Sequence, residues 1–308
     1  MARVTIGVPV FNAESLLERS LDNLAAQTFR DFNIIVLDNA STDRTSAIIE
    51  KFVQKDTRFS HRIQPYNKGC RQNFVDVLAM AETPYFMWRA YDDYSSVNFI
   101  DELVRLLDAT PNAALAVGRT VMEKRGRSRV KVYPQQWPSE PNDVYAARLV
   151  VRARAGWIYG LYRTNELRWS LNHVVAHFEH VHAFDPLTIL PFLIQRRVVG
   201  TDKADFIQGF VDVDNGAQES GIIDPEMMQK LRDDFRRYCS IHLPSLVGTQ
   251  AVRGLMKPAL WHYADRSYRW LKILNARTRM FFGEKPHAPT TKYDAVPVAA
   301  NISSNTNE

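Results

Sequence analysis

The chain has 308 residues, of which 45% are hydrophobic, and a formal net charge of +5 with an isoelectric point near 9.1. This length and apolar content suit one globular domain or a domain with a helical appendage, and no apolar run reaches the roughly 18 residues of a membrane-spanning helix. The positive charge favours anionic partners such as nucleotide diphosphates, nucleic acids or acidic lipid surfaces, whereas the distant Cys70 and Cys239 indicate neither a disulfide framework nor a metal cluster.

Strands and helices alternate through the first 120 residues. The predicted strands are Arg3–Val10, Asn33–Asp38, a short strand near Ile63, Tyr85–Trp88 and Ala113–Val117. The predicted helices are Glu14–Ala26, Asp43–Gln54, Gln72–Met80 and Val97–Asp108. Alternation on this scale predicts βαβ units, and therefore an α/β fold with a mostly parallel sheet flanked by helices.

The pattern loosens after Thr120. A basic segment, Glu123–Lys131, precedes a proline-bearing loop over Pro134–Asn142, and an apolar helix is predicted over Pro186–Gln195. From Pro225 to about Gly283 the chain reads as a helical extension, and residues 286–308 lack periodicity and read as a disordered tail.

Polar and acidic side chains follow three of the predicted strands. Asn12 follows the first strand, Asp38 ends the second, and Asp92 and Asp93 follow Tyr85–Trp88. Parallel α/β sheets bind ligands at the carboxyl ends of their strands, and Mg²⁺ typically takes one or two carboxylates together with substrate phosphates. These positions predict a crevice for a nucleotide and a divalent metal, although a helix cap at Asp38 and a solvated turn at the acidic pair are the alternatives.

The order of these motifs resembles that of the family 2 glycosyltransferases. The segments that carry the resemblance are Val8-Pro9-Val10-Phe11-Asn12, the helix with Leu21 and Gln27-Thr28-Phe29, Leu37-Asp38-Asn39-Ala40-Ser41-Thr42-Asp43, and Asn67…Gly69…Asn73. The resemblance covers roughly residues 3–120 and implies a GT-A, Rossmann-like fold and an inverting enzyme that uses a nucleotide sugar. It also excludes nucleic acid as the partner and favours a UDP-sugar.

The resemblance assigns roles to individual residues. Pro9, Phe11, Asn12, Asp38 and Asn67 would bind the donor nucleotide. Asp92 would contact the ribose or diphosphate and share the metal, and Asp93 would hold Mg²⁺ or Mn²⁺. Asp43 is expected to stabilise a helix start.

The chain departs from the family pattern at Ala90, which stands where the usual Asp-x-Asp-Asp motif has its first acid. This absence is the main argument for one alternative, a non-catalytic partner protein. A second alternative, a nucleotidyltransferase of similar fold, usually has a glycine-rich loop where this chain has Pro9-Val10-Phe11-Asn12. The chain also lacks the Gln-x-x-Arg-Trp segment of processive synthases, which favours a single-addition transferase.

Inversion requires a base on the acceptor side, and the family takes it from an acid well after the metal site. Asp185 is the candidate, with an N-cap of the following helix as the alternative reading and Glu179 as the second candidate base. A zinc site with His-Glu-x-x-His spacing is not indicated by the nearby residues His177, Glu179, His180 and His182.

The segment Trp157–Arg163 resembles the family's acceptor-side segment. Trp157 and Tyr159 would stack on a sugar face and Arg163 would meet a phosphate, whereas core packing is the alternative for these aromatic residues. The acceptor implied by the family is a glycan or lipid-linked glycan of a bacterial cell envelope.

Leu260–Phe282 predicts a basic helix with an apolar stripe, given by Leu260, Tyr263, Trp270, Leu271, Leu274, Phe281 and Phe282. This stripe would bind a membrane surface or pack on the catalytic domain. Since the chain enters a strand without a leader segment, we expect reduced cysteines and a cytoplasmic protein, with peripheral contact at the inner face of the cell membrane left open. The expected domains are residues 1–225 (a nucleotide-sugar half to about 120 and an acceptor half from about 121), the extension 226–285 and the tail 286–308.

Overall fold

The computed structural model describes residues 2–124, 127–131, 143–181, 184–210, 222–223, 225–267 and 286–287. The strands are β1 (Val4–Val10), β2 (Phe32–Asp38), β3 (Phe59–Ile63), β4 (Tyr85–Trp88), β5 (Tyr94–Ser95), β6 (Leu115–Lys124), β7 (Arg127–Lys131), β8 (Leu161–Arg163), β9 (Val198–Phe210), β10 (Ile222–Ile223) and β11 (Pro286–His287). The helices are α1 (Leu17–Ala25), α2 (Thr45–Lys55), α3 (Cys70–Ala79), α4 (Phe99–Ala109), α5 (Asp143–Arg152), α6 (Thr164–His177), α7 (Phe184–Ile194), α8 (Pro225–Ile241), α9 (Leu243–Val247) and α10 (Met256–Ser267).

Within the described residues, nine strands form one sheet in the order β3-β2-β1-β4-β8-β6-β9-β5, with β7 paired to β6. The strands β3, β2, β1 and β4 run parallel, so that their carboxyl ends lie at one edge. Beyond them β8 pairs antiparallel with both β4 and β6, and β6 runs parallel to β9. The predicted α/β fold with a mostly parallel sheet is therefore confirmed.

Each face of the sheet is covered by helices. In β4, Tyr85 and Met87 face the layer of α1, α2 and α4, whereas Phe86 and Trp88 face the layer that contains α3 and α5–α8. This alternation is the period of two that a strand imposes. At Gly7 of β1, an added Cβ would lie 2.7 Å from the Phe86 ring and 3.0 Å from Val77 of α3. The glycine therefore lets α3 pack close to the strand that ends at the candidate site.

The second half contains elements that the sequence patterns did not predict, namely α5, α6, β7 and the long strand β9. Strand β9 carries Asp202, Lys203 and Asp205 and so lacks a continuous apolar run. It is fixed instead by parallel pairing with β6 and by an ion pair of Arg119 with Asp205, whose Nε and Oδ1 atoms lie 2.6 Å apart. Tertiary pairing, rather than local pattern, determines this strand.

The predicted helical extension is present as α8, α9 and α10 up to Ser267, and the rest of it and most of the predicted tail lie outside the described residues. Leu260 and Tyr263 are 1% and 3% exposed and belong to the same core cluster as α5 and α8. The Tyr263 ring stacks on Phe235 with centroids 5.9 Å apart. The first two residues of the predicted membrane stripe are therefore core residues, and its members from Trp270 onward lie outside the described residues.

In the part of the chain that the structure describes, none of the helices is long and apolar enough to cross a membrane. Cys70 is half-buried and Cys239 is buried, and neither belongs to a disulfide within the described residues.

Candidate functional site

A pocket of about 480 Å³, including its open mouth, lies at the carboxyl ends of β1, β2 and β4. Its lining residues are Pro9, Val10, Phe11, Asn39, Asn67, Cys70, Asn73, Phe74, Ala90 and Tyr91. Pro9, Phe11 and Asn67 of the predicted nucleotide site therefore come together as expected from the sheet topology.

The loops after β1 and β2 are tied to each other. Asn12 and Ala40 both have positive φ angles, of 46° and 60°. Residues other than glycine rarely adopt this region of backbone conformation. The Asn12 side-chain oxygen accepts the backbone N–H of Thr42 at 2.9 Å, and the Asn12 N–H donates to Ser41 Oγ at 2.9 Å. Asn12 thus shapes the pocket edge through these bonds and is not one of its lining residues.

The start of α2 is stabilised by Asp43. Asp43 accepts the backbone N–H groups of Thr45 at 2.9 Å and Glu14 at 3.1 Å. Burial opposes ionisation of Asp43, but the hydrogen bonds from Thr45 and Glu14 outweigh it and lower the pKa of the carboxyl.

Asp38 lies behind the pocket wall with no exposed surface. Its Oδ1 accepts the Ser41 N–H at 2.8 Å, its Oδ2 accepts the Ser46 hydroxyl at 2.7 Å, and His61 Nε2 lies 3.9 Å from Oδ2. Asp38 therefore holds the β2–α2 loop in this structure, and its neighbour Asn39 lines the pocket in its place.

Three asparagines line the pocket, and two of them have occupied amide oxygens. Asn39 Oδ1 accepts the Lys68 N–H at 2.9 Å, and Asn67 Oδ1 accepts both Asn39 Nδ2 at 2.7 Å and the Gly69 N–H at 2.8 Å. Asn73 donates its Nδ2 protons to the carbonyl oxygens of Val10 and Leu37 at 3.4 and 3.1 Å.

The acidic pair follows the pocket wall of Ala90 and Tyr91. Asp93 is 5% exposed, Asp92 is half-buried, and the backbone N–H of Asp93 donates to the Ala90 carbonyl at 3.3 Å. Arg89, which is completely buried, lies beneath this loop. Burial lowers the pKa of Arg89 to about 10, while the charge of Asp93 acts in the opposite direction. Each of the two opposite charges therefore offsets part of the cost of burying the other.

Helix α1 anchors the same loop through its polar side chains. Asn23 Oδ1 accepts Arg89 Nη1 at 3.2 Å and the Ser95 N–H at 2.9 Å, and Ser95 Oγ accepts Arg89 Nη2 at 2.8 Å. Ser20 Oγ donates to the Ala90 carbonyl at 3.1 Å. A buried network thus fixes the backbone that carries Asp92 and Asp93.

The residues fit a divalent metal that is shared with a bound diphosphate. Asp92 and Asp93 supply carboxylate oxygens, the ligand type that Mg²⁺ and Mn²⁺ prefer. Among the described residues no group of three or more His, Cys, Asp or Glu side chains can hold a metal ion. With Ala90 in place of the first acid, a metal held here would take its remaining ligands from the substrate and water.

Asp185 lies in the first turn of α7, which begins at Phe184, two residues before the predicted start. It is half-buried, and burial raises the pKa of its carboxyl to about 7. Its negative charge helps burial to raise the pKa of the neighbouring Tyr162. A carboxyl whose pKa lies near neutrality can take up a proton at physiological pH, which a general base must do. Glu179, the second candidate, is exposed.

Of the predicted acceptor-side residues, Trp157 is buried, whereas Tyr159 and Arg163 are half-buried and contact other parts of the protein. Trp157 is 1% exposed, and Tyr159 stacks on Phe206 with centroids 5.1 Å apart. Arg163 pairs with Tyr85 at the amino end of β4, opposite the pocket, and donates to the carbonyl oxygens of Ala113 at 2.8 Å and Leu107 at 2.9 Å. Trp157 has too little exposed surface to stack on a sugar. Arg163 lies at the end of the sheet opposite the pocket. The packing alternative therefore describes Trp157, and the roles of Tyr159 and Arg163 stay predictions.

The structure gathers three histidines that the sequence pattern did not join. The ring of His177 lies 4.4 Å from His173 and 4.5 Å from His242, between centroids. His180 is instead bound to Asp234 of α8, with 2.7 Å between Nε2 and Oδ2, and His182 lies outside the described residues. This arrangement joins α6 to the helical extension.

Sequence reasoning missed Arg89 and the pocket residues Asn39, Phe74 and Tyr91. The position of Arg89 could have been recognised from the sequence, because it directly follows an apolar strand and precedes two acids. A basic residue at such a position must either reach solvent or find polar partners in the interior. Phe74 follows the motif residue Asn73 on α3, but nothing in the local pattern distinguishes a pocket wall from core packing.

Comparisons with known proteins agree with this geometry. The family model Glycosyl transferase family 2 matches residues 5–177, which is more than half of the chain. A glycosyltransferase of Rickettsia typhi is 27% identical over 135 residues, which cover 43% of this chain and 41% of that protein. The GalNAc(5)-diNAcBac-PP-undecaprenol beta-1,3-glucosyltransferase of Campylobacter jejuni is 28% identical over 127 residues, 41% of this chain and 40% of that protein. The chain thus matches about two fifths of the length of these curated relatives.

Two solved structures share the fold. Staphylococcus aureus TarS in complex with UDP-GlcNAc superposes with a TM-score of 0.63 at 18% identity, covering 90% of this chain and 79% of that chain. The mannosyltransferase PcManGT of Pyrobaculum calidifontis, in complex with GDP-Man and Mn²⁺, gives 0.57 at 16% identity, covering 92% and 76%. These matches confirm the predicted GT-A fold, and the family match over residues 5–177 shows that the chain belongs to glycosyl transferase family 2.

Proposed function

We propose that this protein is an inverting, non-processive glycosyltransferase that moves one sugar from a nucleotide-diphosphate donor, a UDP-sugar, to a glycan or lipid-linked glycan acceptor of the cell envelope. The observation that carries the proposal is the pocket of Pro9, Phe11 and Asn67, with Asp92 and Asp93 in the loop directly beyond its wall. The fold neighbours bind UDP-GlcNAc and GDP-Man, and the Campylobacter relative acts on an undecaprenol-linked glycan.

In the proposed reaction, the Asp185 carboxylate takes the proton of an acceptor hydroxyl. The acceptor oxygen forms a bond to the anomeric carbon from the face opposite the diphosphate. The bond from this carbon to the diphosphate oxygen breaks, and the nucleoside diphosphate leaves with the electron pair. A pKa of about 7 suits Asp185 to this exchange, because the carboxylate is present at neutral pH and still accepts a proton.

Asp93 and Asp92 would hold Mg²⁺ or Mn²⁺, which when bound would neutralise negative charge on the leaving diphosphate. The chain contributes the rigidity of this site. Arg89 and Asn23 fix the loop from below, so that the carboxylates are oriented before the donor arrives.

The direct test is a transfer assay with the purified full chain. A panel of UDP-, GDP-, dTDP- and CMP-sugars is incubated with Mn²⁺ and with short glycan and lipid-linked glycan acceptors, and products are identified by mass spectrometry. We expect one UDP-sugar to yield UDP and a singly extended acceptor of inverted anomeric configuration. Retention of configuration, multiple additions, or absence of transfer from every donor would contradict the proposal.

Further incubations of the same purified protein separate the alternatives. A nucleotidyltransferase would produce a nucleotide sugar and pyrophosphate from a sugar phosphate and a nucleoside triphosphate. A non-catalytic partner would bind the nucleotide and neither transfer nor hydrolyse the donor.

A further inference from the structure

Arg71 lies in the first turn of α3, the helix that also contributes to the wall of the pocket. Its side chain is half-buried, and its Nη1 donates to the backbone carbonyl oxygens of Phe178 at 2.6 Å and Glu179 at 3.1 Å. Both carbonyl groups directly follow the end of α6. The Arg71 side chain therefore joins the helix of the donor pocket to the chain segment that leaves α6.

The position of Arg71 within its own helix does not favour a cation. The amino end of a helix carries partial positive charge, and acidic residues are stabilising there, whereas the first turn of α3 has none. The carboxyl end of a helix carries partial negative charge and has carbonyl groups without a partner in the helix. The bonds to the end of α6 therefore account for an arginine at this position.

Helix α3 contacts the same part of the chain a second time through Phe74. Phe74 comes three residues after Arg71 and so lies one turn away on the same side of α3. Its ring packs against Phe184, the first residue of α7, which directly precedes Asp185. One helix thus fixes the chain both where it leaves α6 and where α7 begins with the candidate base.

The helical extension holds the segment after α6 from another side. His180 Nε2 lies 2.7 Å from Asp234 Oδ2 of α8, and the Phe178 ring packs edge to face with Tyr238 at a centroid distance of 6.0 Å. These contacts fix the segment to α8. Arg71 supplies a polar link from the segment to the pocket wall, and so relates its position to that of the donor.

We propose that Arg71 is a positioning residue of the transfer reaction, which sets the place of Asp185 relative to the bound donor through its bonds to the end of α6. This inference rests on the proposed function, in which Asp185 is the base. A displacement of about 1 Å between reacting groups can lower a rate about 100-fold. Arg71 acts on this geometry and not on donor binding, because its guanidinium binds the segment after α6.

The test compares Arg71→Ala with the unaltered full chain in the transfer assay with Mn²⁺. We expect kcat to fall about 10- to 100-fold, with the KM of the donor and the Kd of UDP changed less than about threefold. Arg71→Lys keeps a cation that donates to carbonyl oxygens, but without the planar fork, and should recover part of kcat. An unchanged kcat in Arg71→Ala, or a loss confined to donor binding, would overturn the proposal.

Arg168→Ala is the matched control. Arg168 of α6 donates through Nη2 to the backbone carbonyl oxygens of Leu78, at 3.3 Å, and Ala81, at the opposite end of α3. It links α6 to α3 by the same chemistry but away from Asp185, so its removal should leave kcat within about twofold of the unaltered protein. An equal loss of kcat in the two variants would show that Arg71 contributes only to helix packing, and would overturn the proposal.

A double-mutant cycle shows whether Arg71 acts through Asp185. In Asp185→Asn, which lacks the base, the addition of Arg71→Ala should change turnover by less than about threefold. The same loss in both backgrounds would show that Arg71 acts elsewhere, and would overturn the proposal. Should Arg71→Ala fail to fold, Arg71→Gln takes its place in every comparison, since it removes the guanidinium and keeps most of the side chain.

The outcomes also separate this inference from the proposed function. Transfer by the unaltered protein, with an equal kcat in Arg71→Ala, removes the role of Arg71 and leaves the glycosyltransferase activity intact. If no donor supports transfer, the proposed function fails, and amide hydrogen exchange of Phe178–Val181 and of the first turn of α7 decides what Arg71 does. Faster exchange there in Arg71→Ala than in Arg168→Ala supports its hold on this segment, and equal exchange in the two variants overturns it.

Discussion

Phe74 and Phe184 pack edge to face, with ring centroids 5.8 Å apart. Phe74 belongs to the wall of the donor pocket, and Phe184 precedes Asp185 at the start of α7. Phe74 also contacts Trp88, the last residue of β4, with centroids 5.6 Å apart. This aromatic contact connects the nucleotide side of the site to the candidate base, which lies more than 100 residues later in the chain. Movement of α7 relative to α3 would therefore disturb both at once.

The first prediction concerns Asp185 as the base. Asp185→Asn keeps the shape of the side chain but cannot accept a proton, so turnover should fall about 10²- to 10⁴-fold. UDP affinity should change little, because Asp185 is not a pocket residue. In the unaltered protein kcat/KM should rise with pH and level off above about pH 7, the pKa of this carboxyl. A loss of turnover smaller than about tenfold would show that Asp185 only stabilises the start of α7, and Glu179 would then be the candidate base.

The second prediction concerns the stability cost of the same carboxyl. Burial raises the pKa of Asp185 in the folded state above its ordinary value of 3.8. The folded protein therefore holds a proton that the unfolded chain releases, and stability falls as pH rises from about 4 to 7. Asp185→Asn removes this cost and should raise the unfolding temperature at pH 8, by about 2–4 °C for each kcal/mol gained. A lower unfolding temperature at that pH would contradict the burial argument.

Local patterns predicted the first half of the fold because its strands and helices have clear periods. The predicted helix Gln72–Met80 corresponds to α3 at Cys70–Ala79, and the predicted strand Tyr85–Trp88 corresponds to β4 without change. The order of these elements, together with parallel pairing, also predicted that Pro9, Phe11 and Asn67 would meet.

The second half could not be predicted in this way. Strand β9 contains charged residues and exists because β6 pairs with it along most of its length. Trp157 and Arg163 carried side chains that suit a sugar or a phosphate. Nothing in the sequence revealed that Trp157 is buried, or that β8 inserts between β4 and β6 and places Arg163 at the end of the sheet opposite the pocket. The inward orientation of Asp38 likewise depends on Ser46 and on the fold of its loop.

The third prediction concerns the metal site and separates its two acids. Asp92 is half-buried, so Asp92→Asn should weaken Mn²⁺-dependent UDP binding with little change in unfolding temperature. Asp93 is 5% exposed and lies beside the buried Arg89. Asp93→Asn should abolish the Mn²⁺ dependence of UDP binding. It should also lower the free energy of unfolding by about 3–5 kcal/mol, because it removes the negative charge that offsets the Arg89 guanidinium. Calorimetry with and without EDTA, alongside thermal unfolding, measures both effects. Full transfer activity in EDTA would reject the metal assignment for both residues.

The fourth prediction concerns the helical extension. Leu260 is 1% exposed in the core cluster of α5 and α8, so Leu260→Ala should cost about 2–5 kcal/mol in the free energy of unfolding. Leu255 is 55% exposed, and Leu255→Ala is the matched control, with an expected change within about 0.5 kcal/mol. If Leu260 instead served a membrane surface, its substitution would spare stability and reduce binding to anionic vesicles.

The fifth prediction concerns the histidines that join α6 to the extension. Burial, together with the neighbouring His177, lowers the pKa of both His173 and His242, and Arg237 adds to the effect at His242. The folded state thus favours the neutral rings, and its stability is complete above the ordinary histidine pKa of 6.5 and is lost as pH falls below it. Denaturant unfolding at pH 7.5 and pH 5.5 should show a lower free energy of unfolding at the acidic pH, after allowance for the general loss that carboxylates cause.

Two variants distinguish the histidine contribution from that general loss. His177→Gln removes the ring that lies 4.4 Å from His173 and 4.5 Å from His242, and it should make the difference between the two pH values smaller. His262 is exposed on α10, and His262→Gln should leave the difference as it is in the unaltered protein. An equal pH dependence in both variants would show that the three neighbouring histidines do not govern the acid sensitivity of this interface.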